Sequence, residues 1–419
     1  MNNTTFNPLI AKRIDAFRKI MSYGGVINGD LSCLDQIRKQ VTENIVVQKR
    51  IGSSSVNKEA YLGVPDDISV KLIPLKSDEV MYIRDHTHNP KAWEKALWAE
   101  LLFMQICSYV VKMAKIPHLP MAYAYMFCNS CRFDNEMLNH TLPPQTSCLL
   151  LLNEFPHGDF TNWIQTERSI KEWSLAYFQI FVGLYFLQKF FNMTHHDLHW
   201  GNVLVHPSPR GGYSMYQIDG KKYYMPNLGF CCVLSNFGYA RIPGKVEIGN
   251  QQAYYNNSEF GQMPRLLVDY FRIAQVPLWM HDPNVPESEK YLDVRLPSGL
   301  ERDFIAPLTE MFYEGYTLKR VIPKLWGVYT TKPEGVPIIE RYDLDSPFKN
   351  FPKEHAHLLH DFIREPIPDR VPTSVNLALN AQDLYSKFGS GHIHVDEQGR
   401  LEVEEASRDF EDFDPMEID

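Results

Sequence analysis

The sequence predicts an α+β fold with a strand-rich first lobe and a helix-rich second lobe, on three observations. Between residues 44 and 73, short apolar runs are parted by Gly, Ser, Asn, Pro and Asp. A turn-rich break, Glu154-Phe155-Pro156-His157-Gly158-Asp159, then divides the chain. Beyond the break, apolar residues recur mostly at helical spacing. With 419 residues and 44% hydrophobic content, the chain has the material for two or three compact units with buried cores.

An N-terminal extension, residues 1–43, precedes the first lobe, residues 44–154. Residues 44–48, 59–62 and 68–73 read as three antiparallel strands. Asn89-Pro90 opens a helix on which Trp93, Leu97, Leu101 and Met104 make one apolar face, and Pro117 and Pro120 end it. Strands at 121–128 and 148–152 complete the lobe. In the second lobe, residues 155–395, helices are predicted at 160–165, 170–191, 262–274, 299–314 and 352–363. One β island interrupts them: strands at 202–206 and 230–234 flank a hairpin, 213–218 with 222–225, turning at Asp219-Gly220, a favourable two-residue turn. Residues 396–419 read as an acidic, disordered tail. Helices past Gln275 complete the lobe and carry no chemistry of their own.

Composition excludes several functions. The 42 Lys plus Arg against 51 Asp plus Glu give a formal charge of −9, so direct nucleic-acid binding by bulk charge is not expected. Residues 401–419 hold nine acids against one base, Arg408. The remainder is therefore close to neutral, and the tail, mixing acids with Phe410 and Phe413, is a candidate docking segment for a partner. The N-terminus lacks the order of a signal peptide, and the seven scattered cysteines do not resemble a disulfide framework, so a reducing cytosol is expected. The pair Cys128 and Cys131 has zinc-ligand spacing without a second pair, which reads as two thiols on a strand and turn. Residues 175–191 approach the length of a membrane span, but Gln179, Gln188 and Lys189 interrupt them and polar residues follow at once. They read as a buried core helix, with no membrane association.

The strongest chemical signal is His195-His196-Asp197-Leu198-His199-Trp200-Gly201-Asn202-Val203-Leu204, between the buried helix and a strand. A carboxylate five residues before a carboxamide on one loop can orient a hydroxyl nucleophile while the carboxamide oxygen holds a hard cation. This segment resembles the catalytic loop of the eukaryotic protein kinase superfamily, and Asp-Leu-His-Trp-Gly-Asn looks especially like that of haspin, an atypical serine/threonine kinase. The hairpin near 207–229 looks like the haspin insertion, and kinase-like proteins of large DNA viruses such as iridoviruses carry a similar loop and hairpin. The resemblance covers roughly residues 44–274. It implies a bilobal kinase-like fold with an antiparallel-sheet N-lobe and a mostly helical C-lobe.

It further implies ATP with Mg²⁺ or Mn²⁺ as cofactors and a protein hydroxyl as acceptor, located in a cell's cytosol or, for a viral member, in the virion. Asp197 takes the catalytic-base place, Asn202 a metal-ligand place, and His199 the place of a substrate-side Lys. Histidine there also occurs in choline and aminoglycoside kinases, so a small-molecule kinase remains an alternative. Lys71, on the strand face opposite Ile68, Val70 and Leu72, is expected to pair with Glu100, whose carboxylate would be costly unpaired on an apolar helix face. Ile51, Gly52, Ser53 and Ser54 take the place of the phosphate-covering loop, although Gly52 alone of its usual three glycines is present. Glu154 and Phe155, at the lobe junction, take a place beside the nucleotide. Asn236-Phe237-Gly238 looks like the metal-binding Asp-Phe-Gly segment with Asn for the acid, which removes a charge from the metal site. That departure admits a pseudokinase, a nucleotide-binding or scaffold module, as the main alternative. No Ala-Pro-Glu follows, as in haspin-like kinases.

Overall fold

The computed structural model describes residues 8–22, 46–55, 58–64, 68–86, 89–128, 147–155, 158–247, 265–279, 296–347, 393–395 and 401–403. The predicted helix at 352–363 and Cys131 lie outside them. Pro8–Ser22 forms a helix, α1, inside what the sequence marks only as an extension. Three strands follow, Val46–Ser55 (β1), Lys58–Val64 (β2) and Ile68–Pro74 (β3). Helix Ala96–Ala114 (α2) comes next, then strands Ala122–Cys128 (β4) and Cys148–Glu154 (β5). The five strands form one antiparallel sheet in the order β1-β2-β3-β5-β4. β3 is central because its alternation suits it: Ile68, Val70 and Leu72 are buried, while Ser69 and Lys71 are half-buried on the other face.

Helix α2 starts later than predicted. Trp93 sits in a 3₁₀ turn, Ala92–Glu94, with its indole donating to His86 O at 2.7 Å. By length and composition α2 could cross a membrane, yet about two-thirds of its most apolar stretch is buried within the fold. Cys148 is disulfide-bonded, against the expectation of free thiols, and Cys107, Cys231 and Cys232 are free and buried.

After the break, Ile170–Phe191 forms α3, starting on a reciprocal cap in which Ser169 Oγ accepts Glu172 N–H and Glu172 Oε2 accepts Ser169 N–H. The polar residues that interrupt its apolar run all have tasks. Gln179 Oε1 accepts Cys232 N–H at 2.7 Å, Gln188 accepts the Tyr270 hydroxyl, and Lys189 reaches Asp219 Oδ1 at 2.8 Å. A core helix that must anchor neighbours on every side explains the composition without a bilayer.

The β island differs from expectation in a specific way. The four short strands are two long ones, Val203–Ile218 (β6) and Lys221–Leu234 (β7), paired antiparallel around Asp219-Gly220. Pro207, Gly211, Gly212 and Gly229 signal breaks in the sequence, but here they mark bulges. Register shifts fall between Pro207 and Tyr213, and the three glycines take φ of 91°, 68° and 95°. A third strand that the sequence reading missed, Ile338–Asp343 (β8), joins β6 in parallel. Helices Arg265–Trp279 (α4), Ala306–Tyr313 (α5, preceded by a π turn at Glu301–Ile305) and Leu318–Leu325 (α6) complete the main body. The predicted helix at 160–165 is a single turn, Phe160–Trp163. Leu401–Val403, within the span read as tail, pairs antiparallel with Ile393–Val395.

Helix α1 ties these parts together. Arg13 is buried and donates to Glu154 through Nε at 2.8 Å and Nη2 at 2.5 Å, and to Pro117 O and Leu119 O at 2.6 and 2.5 Å. Leu9 N–H donates to Glu340 Oε1 on β8 at 2.9 Å, and Leu9 packs with Cys231 and Val233 of β7. One helix therefore touches the end of the five-stranded sheet and two strands of the three-stranded one.

Candidate active site

Lys71 on β3 and Glu100 on α2 form an ion pair, with side chains 16% and 7% exposed. At that burial a lone carboxylate would carry a desolvation cost of several kcal/mol, which the ammonium offsets. Gly238 lies against the same carboxylate: a Cβ built there would stand 3.5 Å from Glu100 Oε2. Phe237, fully buried, packs on Phe103 one turn along α2 and on His195 of the loop, at ring separations of 6.4 and 4.9 Å. The Asn236-Phe237-Gly238 segment thus joins the ion pair to the loop bearing Asp197.

That loop is held from below by α4. Asp269 is fully buried, and its Oδ2 and Oδ1 accept His195 N–H at 2.6 Å and His196 N–H at 2.7 Å. Burial pushes the Asp269 carboxyl up, while the His195 ring and the two N–H donors pull it down. Arg272, one turn along, donates to His196 O and stands 3.4 Å from Asp197 Oδ1. Together they grip both ends of the peptide at His196, whose φ of 62° is left-handed. Such a backbone costs a non-glycine residue about 1–2 kcal/mol. Two charge-assisted hydrogen bonds, each worth about 1.5–3 kcal/mol, more than offset it. His195 Nε2 donates to Ser235 O at 2.7 Å and its Nδ1 accepts Asp197 N–H at 3.3 Å, so the ring spans the loop and the segment after β7.

Asp197 is half-buried at the centre of this frame. Asn202 Nδ2 donates to Asp197 O at 2.6 Å and to Asp197 Oδ2 at 3.2 Å. Asn202 Oδ1 in turn accepts Asn236 Nδ2 at 3.0 Å, and the Asn202 carbonyl accepts both Ser235 N–H and its hydroxyl. Asn236 takes φ of 65°, a conformation Asn tolerates better than most residues. Asn202 therefore bridges Asp197 and Asn236 by hydrogen bonds to each.

As a magnesium site the donor set fits in kind, offering hard oxygens from one carboxylate and two carboxamides. It is weak in charge. Asn202 Oδ1 faces an amide donor and Asp197 Oδ1 faces Arg272, so a cation must compete with both. Among the described residues no cluster of three or more His, Cys, Asp or Glu side chains forms a further metal site.

The other sequence-predicted residues fall differently. His199 is half-buried, and its Nδ1 accepts Gly201 N–H at 3.1 Å; burial lowers its pKa, against the pull of Asp197. Trp200 is wholly buried against Phe160 and Trp173, which makes it an anchor of the loop and removes it from contact with an acceptor. The Glu154 carboxylate is spent on Arg13 and Met121 N–H, and Phe155, half-buried, follows the end of β5. Ile51, Gly52, Ser53 and Ser54 lie on β1, where the pairing with β2 shifts register between Ile51 and Ser55. Asp269, Arg272 and Ser235 were not singled out from sequence, and His195 was named there only as the first residue of the loop motif. Asp269 had a signal of the same kind as Glu100, an acid inside the apolar run Leu266-Leu267-Val268-Asp269-Tyr270-Phe271.

No family model matches the chain. It is 26% identical over 223 residues, 51% of its length, to "Putative serine/threonine-protein kinase 019R" of frog virus 3 (isolate Goorha), and covers 25% of that protein. It is also 26% identical over 172 residues, 38% of its length, to "Probable serine/threonine-protein kinase 380R" of invertebrate iridescent virus 6, covering 32% of it. The chain thus spans a quarter to a third of the length of these relatives, and the similarities support a kinase-like relationship.

Proposed function

We propose that the chain is a haspin-like, bilobal serine/threonine protein kinase that transfers the γ-phosphoryl group of ATP to a protein hydroxyl. The observation that carries this reading is the convergence of the Lys71–Glu100 pair, the Phe237-Gly238 segment and the Asp197–Asn202–Asn236 cluster through contiguous contacts. In this reading Lys71 faces the α and β phosphates, its ammonium oriented by Glu100. Asp197 accepts the hydroxyl proton as the acceptor oxygen bonds to the γ phosphorus and the bond to the ADP oxygen breaks. Its own position is fixed by Asn202 and by the grip of Asp269 and Arg272 on the preceding peptide. Bound Mg²⁺, held by Asn202 and Asn236, would neutralise phosphate charge. Purified protein with labelled ATP and Mg²⁺ or Mn²⁺ should phosphorylate itself or members of a peptide array, and Asp197→Ala should not. Equal labelling by the two would sink the assignment.

A second reading is supported by the Asn236 to Asn202 amide bond, which turns a ligand oxygen toward a donor. The fold would then serve as a nucleotide-binding or scaffold module without transfer. A thermal shift by ATP that is independent of divalent cation, with no labelling, selects it.

A further inference from the structure

Between the tip of the β6–β7 hairpin and α6 lies a pocket of about 530 Å³, away from the residues of the candidate active site. Four cations line it: Lys221, Lys319, Arg320 and Lys324. Lys221, Arg320 and Lys324 are exposed. The acid in the lining, Asp219, already has its charge engaged by Lys189 at 2.8 Å and by the Tyr185 hydroxyl. Glu310 neighbours Lys324 and offsets part of its charge, and with Asp219 engaged elsewhere the four lining cations still leave the rim net positive. Lys319 and Arg320 fall in the first turn of α6, where the helix dipole is itself positive and acids are the stabilising choice. Cations there work against the helix, and their concentration with Lys221 suits an anionic occupant. Buried Tyr223 and Ile322 form an apolar floor.

We infer that this pocket docks the chain's own acidic segment, residues 404–419. That segment holds eight acids against one base and places Phe410 and Phe413 among them, in Asp409-Phe410-Glu411-Asp412-Phe413-Asp414. Carboxylates match the rim, and the two phenyl rings can rest on guanidinium and ammonium groups as well as on the floor. Asp345 caps the hairpin tip, its Oδ1 accepting Asp219 N–H at 2.6 Å and its Oδ2 Gly220 N–H at 2.8 Å, which fixes the turn that forms one side of the pocket. The covalent tether makes docking an intramolecular event, with the gain in effective concentration that brings. Because the rest of the chain is close to neutral, the contact would join the part that carries most of the net negative charge to a cationic rim.

Zero-length carbodiimide coupling of the dilute full-length chain, read by peptide mass spectrometry, tests the inference. Lys221, Lys319 and Lys324 should couple to acids of 404–419 within one molecule, at several times the yield seen for the exposed Lys12, Lys91 and Lys332. The yield should fall several-fold in 0.5 M salt. It should also fall several-fold in Arg320→Glu, which leaves all three reporter lysines in place, and an unchanged melting curve will show that this variant is folded. If it is not, Arg320→Gln serves in its place. An added peptide of residues 404–419 should compete, and the same composition with acids and aromatics segregated should compete less. Coupling spread evenly over exposed lysines, coupling only between molecules, or coupling indifferent to Arg320 would each overturn the assignment.

Discussion

Replacing Arg13 by Met keeps most of the side-chain volume and removes only the guanidinium. Glu154 then loses both of its Arg13 bonds and keeps Met121 N–H at 2.8 Å, with His206 Nε2 at 3.9 Å. The carbonyls of Pro117 and Leu119 lose their donor as well. Breaking a buried ion pair from one side costs about 3–5 kcal/mol, because the partner stays charged and desolvated. The surviving Met121 bond holds the value below the top of that range, so about 4 kcal/mol is expected. Glu154→Leu should cost about 3 kcal/mol, since Arg13 retains its two carbonyl acceptors. The double variant removes both charges of the pair, leaves neither stranded, and should lose less than either single one. Equilibrium unfolding in guanidinium, followed by fluorescence of the seven tryptophans, gives all three values. A cost below about 1 kcal/mol for Arg13→Met, or simple additivity in the double variant, would refute the view of Arg13 as a latch between α1 and the two sheets.

The same pair sets a pH response. Burial raises the Glu154 carboxyl, but Arg13, His206 and the hydrogen bonds outweigh it, so the folded pKa lies below the ordinary 4.5. The stabilisation is therefore fully present above pH 4.5 and lost as pH falls through the folded pKa, and Glu154→Gln should flatten that acid limb of a stability–pH curve. Asn236→Asp adds charge to the proposed metal site and should raise ATP turnover about 10²- to 10³-fold, if the missing carboxylate costs 3–4 kcal/mol; unchanged turnover and unchanged Mg²⁺ dependence would remove Asn236 from the ligand set. Asp269→Asn should destabilise by about 2 kcal/mol in the same guanidinium unfolding and slow turnover with labelled ATP. An unchanged unfolding midpoint would remove Asp269 from the support of the loop.

Much of this was legible in the sequence where a local rule and the tertiary environment agree. Residues 170–191 form a helix with the bounds read from sequence, because its capping residues and its apolar run point the same way. Glu100 stood out as a charge on an apolar helix face, and the resemblance of the catalytic loop to that of kinases supplied Lys71 as its partner. The misreadings arise where long-range contacts overrule local signals. Gly211, Gly212 and Gly229 look like strand ends, yet β6 and β7 continue through them as bulges supported by β8. β8 itself was hidden by Glu340, a charge in the buried row of the strand, which makes sense only once Leu9 N–H is known to meet it. Arg13 hid α1 in the same way. Asp269 shows the reverse, a readable signal that went unread.

The bond from Leu9 to Glu340 spans 331 residues and joins the first described helix to the last strand of the main body. On a ribosome adding about 5–20 residues each second, roughly 20–70 s separate the emergence of these two partners. Arg13 finds its acceptors once Glu154 has emerged, whereas Leu9 N–H must wait for β8. The two ends of one short helix thus set at different times, and through the second wait the Leu9 end stays open to chaperones and proteases.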